Sequence, residues 1–387
     1  MTHPLRSALA HVSRAALRHS LALLGPTEAV PTQPIRRILV SGSMGIGNAV
    51  MLEPLLYALR QRFPDAHLAA ATRADAPSRA VLEWPGLVDQ VIPLRGNSRP
   101  ALLREALRLT RGQWDLYVVR FNGATFEFVV SAVLGRVPHR LGHVSSGRFR
   151  SNVDWLFNLP VTMGDYDHEV DRYLALAERL GIIPSRRTPR LSLSEPARRA
   201  ADSILRESGV RPADPLIALQ PGTSGHQTWK RWPPEHWRSL AARLMRSGFT
   251  VVGLGSAGER QLLADIRGDS GLHNLAGELS LQESAAVIQR CKLLVSTDSG
   301  LMHVAAAVGT RVVGIFGPTD RTRTRPYGEG HTLLVPDHCR SHTNPCLSPD
   351  GQLDPSCTWQ VCMPSIRPEE VLEAILRVAG PQAVASS

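Results

Sequence analysis

Lysine is nearly absent from this 387-residue sequence: of 44 basic residues, only Lys230 and Lys292 are lysines. Cysteine is also scarce, with five in the chain, which excludes a disulfide-rich scaffold. No run approaches the about 18 consecutive apolar residues of a membrane-spanning helix. The apolar segment 15–25 is interrupted by Arg18 and His19 and lacks a clear cleavage site, which argues against a secretory signal. With 43% hydrophobic and 20% charged residues, the composition is typical of a globular protein of about two or three domains.

Positive charge is concentrated at the N-terminus. The formal net charge is +10, and residues 1–40 hold five arginines against one glutamate, a net of four of those charges. The basic excess favours anionic partners such as phosphates or a membrane face, and the body of the chain gives little reason to expect nucleic-acid binding. Residues 1–34 are interpreted as a basic tail, either a membrane-surface helix or a frayed terminus.

Short apolar runs alternate with helical periodicity along the rest of the chain, which predicts an α/β protein with parallel sheets. This alternation of strands and helices begins again near residue 216, so two similar halves are expected. A ligand cleft is expected outside the carboxyl ends of their strands. The predicted domains are 35–205 and 206–365. The predicted strands are 37–41, 67–72, 90–94, 116–120, 216–220, 250–254, 293–296 and 312–316. The predicted helices are 49–63, 100–111, 169–180, 195–208, 234–248, 259–266, 280–290, 299–309 and 368–378.

Three loops that follow predicted strands carry residues suited to anion binding. Asp298, Ser299 and Gly300 begin a helix after strand 293–296, where free N–H groups and the helix dipole favour a phosphate. A plain capped helix, with His303 as a core histidine, is the alternative. Loop 220–235 contains three hydroxyls, two glycines and Lys230, a compact cation suited to phosphate oxygens, although it is equally consistent with a solvated basic loop. Loop 42–48 is rich in glycine but matches neither the dinucleotide fingerprint nor a P-loop.

Four of the five cysteines fall within 24 residues, and their spacings match no standard zinc pattern. A structural metal, reduced thiols and disulfides all remain open for this cluster, which consists of Cys339, Cys346, Cys357 and Cys362.

Taken in order, these segments resemble the bacterial heptosyltransferase family, glycosyltransferase family 9, over roughly residues 36–378. The matching segments are 37–59, 122–123, 140–142, 168–181, 230–234, 275–277, 297–303, 316–320 and 366–371. The resemblance implies a GT-B architecture of two Rossmann-like domains facing a cleft, with segment 366–387 crossing back to the first domain. It also implies an inverting, metal-independent transfer of a sugar, heptose from ADP-heptose, to a lipopolysaccharide-core or related lipid-linked glycan. No cofactor is expected, and the location implied is cytoplasmic, with peripheral contact to the inner membrane.

The same resemblance assigns roles to individual residues. Asn48, Lys230 and Asp298 occupy the catalytic positions. Those implied in donor binding are Thr223, Ser224, Lys230, Glu259, Leu279, Asp298, Ser299, Gly300 and His303. Those implied in acceptor binding are Gly45, Gly47, Asn48, Arg120 and Asn122.

Two positions depart from the family pattern, and both lie in the predicted acceptor half. Asn48 stands where the family commonly has an aspartate that serves as the general base, and an amide cannot take up a proton at neutral pH. Either Glu53 replaces that base, or Asn48 only orients the acceptor, or the protein has little transferase activity. Arg120 stands where many members carry an acid, which suggests a changed acceptor.

Two other functions compete with the transferase hypothesis: a non-catalytic nucleotide-sugar-binding protein, and a nicotinamide-dependent oxidoreductase, which the glycine spacing disfavours. Titration with NAD and with ADP-sugars separates the oxidoreductase from the other two, and turnover separates those two.

Overall fold

The computed structural model describes residues 34–42, 45–96, 98–120, 125–144, 154–162, 164, 168–223, 227–268, 270–336, 346 and 362–380. The predicted N-terminal tail, except for its last residue, Pro34, therefore lies outside the described residues. The chain divides into two compact units. Unit 1 comprises the described residues of Met1–Met44, Leu55–Gly164 and Arg172–Ser185, and unit 2 those of Gly45–Pro54, Asp165–Asp171 and Arg186–Ser387.

Unit 1 is built on a six-stranded, fully parallel sheet of order β3-β2-β1-β4-β5-β6. Its strands are nearly continuous apolar runs, as expected when helices cover both faces. The strands are β1 Arg37–Ser41, β2 His67–Arg73, β3 Gln90–Leu94, β4 Leu116–Val119, β5 His139–Val144 and β6 Leu159–Thr162. The first five helices of the chain are α1 Ile46–Arg62, α2 Arg79–Leu82, α3 Arg99–Thr110, α4 Thr125–Leu134 and α5 Glu169–Arg179. Helices α1 and α5 each run from unit 2 into unit 1.

Unit 2 repeats this arrangement with a second parallel sheet, of order β12-β11-β10-β7-β8-β9. Its strands are β7 Leu216–Gln220, β8 Thr250–Gly253, β9 His273–Asn274, β10 Leu293–Thr297, β11 Arg311–Ile315 and β12 Thr332–Leu334. Its helices are α6 Glu195–Glu207, α7 Pro234–Arg246, α8 Arg260–Arg267, α9 Leu281–Arg290, α10 Gly300–Ala307, α11 Arg321–Thr324 and α12 Pro368–Ala379. Both sheets have the strand order of a Rossmann fold, so the predicted pair of Rossmann-like domains is confirmed.

The last helix, α12, belongs to unit 2, contrary to the expectation that it would cross back to the first domain. Its apolar residues Val371, Ala374 and Ile375 are fully buried in the core that also contains Trp237 and Leu240 of α7. The apolar stripe of α12 is therefore used within the second unit. Among the described residues, no helix is both long and apolar enough to cross a membrane.

The boundary between the units also differs from the predicted one at residue 205. Unit 2 already begins at Arg186, and it includes helix α6, whose buried residues Ala197, Ala201 and Leu205 form one face. That face contacts α9 of the second unit. The prediction was based on the restart of the strand–helix alternation near residue 216, whereas α6 is already part of the second core.

Candidate active site

Strands β7 and β10 are neighbours at the centre of the unit 2 sheet. Successive strands are added to one side of the sheet from β7 and to the other side from β10, so the strand order reverses between them. Gln220 at the end of β7 is paired in register with Ser296 of β10. Ligands of open α/β sheets bind outside the carboxyl ends of strands at such a point. The loops that leave these two strands carry Thr223, Lys230 and Asp298, so the fold brings together the predicted donor-binding motifs.

Lys230 and Asp298 form an ion pair at this point. Lys230 Nζ lies 2.8 Å from Asp298 Oδ2, and the two side chains are only 12% and 8% exposed. The ammonium also lies 5.4 Å from the centre of the Trp229 ring. Because the pair is largely desolvated, its electrostatic interactions are much stronger than those of a surface ion pair. The site therefore holds a cation whose position is fixed before any anion arrives.

The N-terminus of α10 lies next to this ion pair. Its N-cap, Ser299, has the extended backbone of a normal cap (φ −144°, ψ 169°), but its hydroxyl makes no hydrogen bond to the helix. The hydroxyl instead donates to Gln220 Oε1. The first amides of α10 are thus left without a side-chain cap, which is the arrangement that binds phosphate at helix N-termini.

His303 lies one turn into α10 and is 5% exposed, yet neither ring nitrogen forms a hydrogen bond with the described residues. Burial lowers the pKa of His303 from 6.5 to about 4; Asp298 opposes this shift, while His168 and Lys230 add to it. The imidazole is therefore neutral at pH 7. A core histidine would be expected to have its ring nitrogens paired. The role of His303 in donor binding stays a prediction.

Glycines allow the start of α1 to contact α10. A Cβ on Gly47 would lie 2.6 Å from His303 Cδ2, and one on Gly300 would lie 2.7 Å from Ile46 Cβ. Neither distance is tolerable for real side chains, so both positions require glycine. The predicted glycine loop and the predicted anion-binding helix are thus in direct contact within unit 2.

His168, which contributes to the electrostatics of His303, has a fixed tautomer. Its Nδ1 accepts from the backbone N–H of Val170, and its Nε2 donates to the carbonyl of Arg325 at 2.9 Å. Both nitrogens are used, so His168 caps the start of α5 and ties it to the segment after α11. Burial lowers the pKa of His168 as well.

Glu259 is held at the entrance to α8. Its Oε2 accepts hydrogen bonds from the backbone N–H and hydroxyl of Ser256 at 2.7 and 2.9 Å. Its Oε1 lies against Gly222, where a Cβ would overlap the carboxylate. Leu279 is half-buried and lies in the loop after β9. Gly277 of that loop packs against Ala257, which belongs to the loop of Glu259. The predicted nucleoside contacts therefore come from two adjoining loops.

Thr223 is buried directly after β7. Its hydroxyl donates to the carbonyl of Gln227 at 3.2 Å and accepts from Arg231 Nε at 3.4 Å. These contacts fold the loop back toward Lys230. Ser224, its predicted companion, lies outside the described residues.

The predicted acceptor residues divide between the two units. Gly45 and Asn48 begin α1 and belong to unit 2; Asn48 is half-buried, and a Cβ on Gly45 would meet only open space. Arg120 is in unit 1 and 1% exposed, where its backbone N–H donates to Ser41 Oγ and its Nε donates to the Gly42 carbonyl. Asn122 lies outside the described residues.

Glu53 is not available as the base that Asn48 lacks. Its carboxylate is 3% exposed and forms a bidentate ion pair with Arg186 at 2.6 and 2.9 Å. It also accepts the backbone N–H of Arg190 at 2.9 Å. Three hydrogen bonds occupy the carboxylate and anchor α1 to the segment before α6, which argues against the hypothesis that Glu53 serves as the base.

No group of three or more His, Cys, Asp or Glu in the described part of the chain is arranged to hold a metal ion. Of the cysteine cluster, Cys362 is buried beside Gly317, and the backbone N–H of Cys346 donates to the carbonyl of Pro318. Cys346 and Cys362 are free thiols, so the disulfide alternative finds no support at these two positions. Cys339 and Cys357 lie outside the described residues, and the state of the whole cluster stays a prediction.

Sequence reasoning missed two residues of the site, Gln220 and Ser296. Both are buried, and Ser296 Oγ donates to Gln220 Oε1 at 2.8 Å. A glutamine ending an otherwise apolar strand was the available signal, because a buried amide must find partners for its donors and acceptor.

Comparison with known proteins identifies the family of the chain. The model of glycosyltransferase family 9 (heptosyltransferase) matches residues 109–347. Lipopolysaccharide heptosyltransferase 2 of Salmonella typhimurium is 30% identical over 309 residues, which cover 75% of this chain and 85% of that protein. The Escherichia coli K12 protein of the same name is 29% identical over 312 residues, with the same coverage.

Solved structures give the same result. The structure of E. coli ADP-heptose lps heptosyltransferase II is 26% identical, with a TM-score of 0.68, and covers 89% of this chain and 98% of that one. A glycosyltransferase family 9 protein from Veillonella parvula shares the fold, with a TM-score of 0.71 at 20% identity over 90% of this chain and 98% of that one. Since the family model also matches more than half of its length, the chain belongs to glycosyltransferase family 9, the heptosyltransferases.

Proposed function

We propose that this protein transfers heptose from ADP-heptose to a lipopolysaccharide-core or related glycan acceptor. The observation that carries the proposal is the desolvated Lys230–Asp298 pair beside the uncapped N-terminus of α10. This arrangement suits the diphosphate of a nucleotide sugar. The names of the relatives at 29–30% identity support heptose as the sugar.

The chemical step is a displacement at the anomeric carbon. The acceptor oxygen forms a bond to that carbon while the bond to the ADP oxygen breaks, and negative charge develops on the leaving diphosphate. Lys230 and the first amides of α10 are positioned before the reaction, so they stabilise this charge without reorganisation. Because protein groups neutralise the leaving group, the proposed reaction needs no metal, and attack opposite the leaving group inverts the anomeric centre.

The nucleoside is assigned to the two adjoining loops. Glu259 Oε1 is the acceptor for ribose hydroxyls, since Oε2 is already used by Ser256. The backbone around Leu279 meets the adenine edge, and Thr223 and Ser224 hydrogen-bond the diphosphate. His303 faces the donor from α10 as a neutral hydrogen-bonding group.

The proton of the acceptor hydroxyl needs another route, because Asn48 cannot accept it and Glu53 is engaged with Arg186. We assign Asn48 the role of orienting the acceptor through hydrogen bonds. In an oxocarbenium-like transition state the attacking hydroxyl becomes acidic as its bond forms. Water can then take the proton late in the step.

The test is a panel of nucleotide sugars assayed by calorimetry and by turnover, with Lys230→Ala as the diagnostic variant. Loss of one preorganised donor costs about 10²–10³-fold in turnover, and ADP affinity falls with it. Lys292→Ala is the matched control, since the other lysine of the chain is exposed and precedes β10. The assignment fails if a folded Lys230→Ala protein binds ADP and turns over like the control.

A nucleotide-sugar-binding protein without activity is the second candidate, and Asn48 is the observation that favours it. Binding of ADP-heptose without turnover on any glycan acceptor would select this alternative. Binding of NAD in place of ADP-sugars would instead support the oxidoreductase hypothesis, which the family assignment disfavours.

We also propose that the protein meets its lipid-linked acceptor by peripheral contact with the cytoplasmic face of the inner membrane. The basic segment 1–34 supports this, because each arginine near an anionic surface adds about 1 kcal/mol. Binding to vesicles containing anionic lipid should weaken with salt and with deletion of residues 1–30. Equal binding with and without that segment would refute the contact.

A further inference from the structure

We propose that Gln220 is a positioning residue for nucleotide binding: it holds the Ser299 hydroxyl away from the helix and so keeps the first amides of α10 open for the diphosphate. The inference rests on the proposed function, and it assigns a role to a side chain that need not touch the ligand.

The orientation of the Gln220 amide is chemically determined. Its Nε2 donates to the carbonyl of Gly222 at 2.7 Å, so the nitrogen must face that side. Its Oε1 therefore faces the other side, where it accepts from Ser296 Oγ at 2.8 Å and from Ser299 Oγ. The two serine hydroxyls also lie 2.9 Å from each other, so Ser299 contacts both Gln220 and Ser296. Gln220 and Ser296 are both buried, so this network is fixed in the interior.

Ser299 would otherwise cap the helix. Its backbone already has the N-cap conformation, and only a rotation about χ1 separates its hydroxyl from the amides of α10. Ser98, Ser194 and Ser280 have similar backbones, and each accepts a hydrogen bond from the N–H three residues on. Ser299 differs because its hydroxyl donates to the side-chain carbonyl of the buried Gln220.

Two further observations place a ligand at this helix start. Lys230 lies beside it as a fixed cation, and the buried imidazole of His303 in the same helix has no hydrogen-bond partner among the described residues. A cap supplied by Ser299 would compete with the diphosphate for the same donors. Gln220 removes that competition.

The diagnostic variant is Gln220→Met, which keeps the side-chain length and removes the acceptor. Ser299 then loses its acceptor on Gln220 and keeps only the contact with the Ser296 hydroxyl. Rotation of the Ser299 side chain to cap α10 should lower ADP affinity about fivefold, the equivalent of the roughly 1 kcal/mol that a serine cap contributes. Because the cap opposes substrate and transition state alike, KM for ADP-heptose should rise by that factor with kcat unchanged. The melting temperature should not fall in proportion, since the helix gains a cap.

Rescue separates positioning from a merely structural role. Adding Ser299→Ala to Gln220→Met removes the competing hydroxyl and should restore ADP affinity, although it removes a further polar contact. Gln289→Met is the matched control, because it makes the same substitution at a glutamine outside the site, whose Nε2 donates to the carbonyl of Val308 at 3.1 Å; its ADP affinity should stay at the wild-type value. Wild-type affinity in Gln220→Met, or weaker binding in the double variant, would overturn the inference.

Hydrogen exchange on the wild-type protein keeps the test decisive if Gln220→Met does not fold. The amides of residues 301 and 302 should exchange rapidly without nucleotide and become protected by ADP. Protection already present without ADP would mean that the amides are capped, against the inference. Failure of the wild-type protein to bind ADP at all would refute the proposed function instead.

Discussion

Acid should destabilise this protein through His303 by an amount that the structure allows to be worked out. The imidazole is buried on α10, and its pKa is lowered from 6.5 to about 4. The unfolded chain therefore binds a proton between those two values that the folded protein does not. The stabilisation is complete above pH 6.5 and is lost progressively as the pH falls toward 4, because stability rises with pH wherever the unfolded state binds more protons.

Lowering the pKa from 6.5 to about 4 corresponds to about 3 kcal/mol in the free energy of unfolding. About 2 kcal/mol of this is lost by pH 5. That is a large part of the roughly 5–15 kcal/mol that stabilises an ordinary domain. The variant His303→Gln removes the titrating group and keeps a polar side chain. Its stability relative to the wild type should therefore improve by about 2 kcal/mol between pH 7.5 and pH 5.

Urea unfolding followed by circular dichroism and by tryptophan fluorescence measures this difference, since Trp232 and Trp237 are buried in the core of unit 2. The comparison at pH 7.5 gives the packing cost of the substitution, and only the change with pH reports the titration. His168 shifts in the same direction and remains in both proteins, so it cancels. Parallel pH profiles for the wild type and His303→Gln would refute the reasoning.

Further variants test helix α1 and the residue that precedes it. Asn48→Asp should keep ADP affinity and raise turnover, by up to the roughly 10²–10⁴-fold that a general base provides; loss of activity in a folded protein would mean that the amide itself is required. Gly47→Ala should lower the melting temperature, because overpacking against His303 at about 1–3 kcal/mol exceeds the helix gain of about 1 kcal/mol, whereas Gly45→Ala should be tolerated in open space. Glu53→Gln should cost about 3 kcal/mol of stability by breaking a buried ion pair, with turnover of the folded enzyme retained; a turnover loss of 10²-fold or more would make Glu53 the base after all.

The strands that were predicted correctly share one property. Strands such as β1, β3 and β7 are uniform apolar runs bounded by polar residues, and their observed bounds match the prediction. Strand β5 was missed because Arg140 and His143 interrupt its pattern. Both are buried: Arg140 donates to the carbonyls of Val137 and Leu156, and His143 bonds to the carbonyl of Arg172. Hydrogen bonds of this kind depend on the tertiary fold, so the local sequence pattern does not predict them.

The site shows the same limit. Motif reasoning located Lys230 and Asp298, because charged and small residues after apolar strands stand out in sequence, and the structure pairs them at 2.8 Å. It could not predict that Glu53 would be occupied by Arg186, since 133 positions separate the two and only folding brings them together. Gln220 escaped notice for a similar reason, as its partners come from β10 and α10.

The scarcity of lysine makes this enzyme an unusual subject for amine chemistry. An acylating reagent finds two side-chain amines in the whole chain, and the structure sets them apart: Lys292 is exposed, while Lys230 is only 12% exposed, ion-paired and at the proposed phosphate site. Peptide mapping after brief acylation should thus show one fast site and one slow site, without any engineered label. The rate at which Lys230 is acylated therefore reports whether the nucleotide site is occupied, in a protein that carries no engineered label.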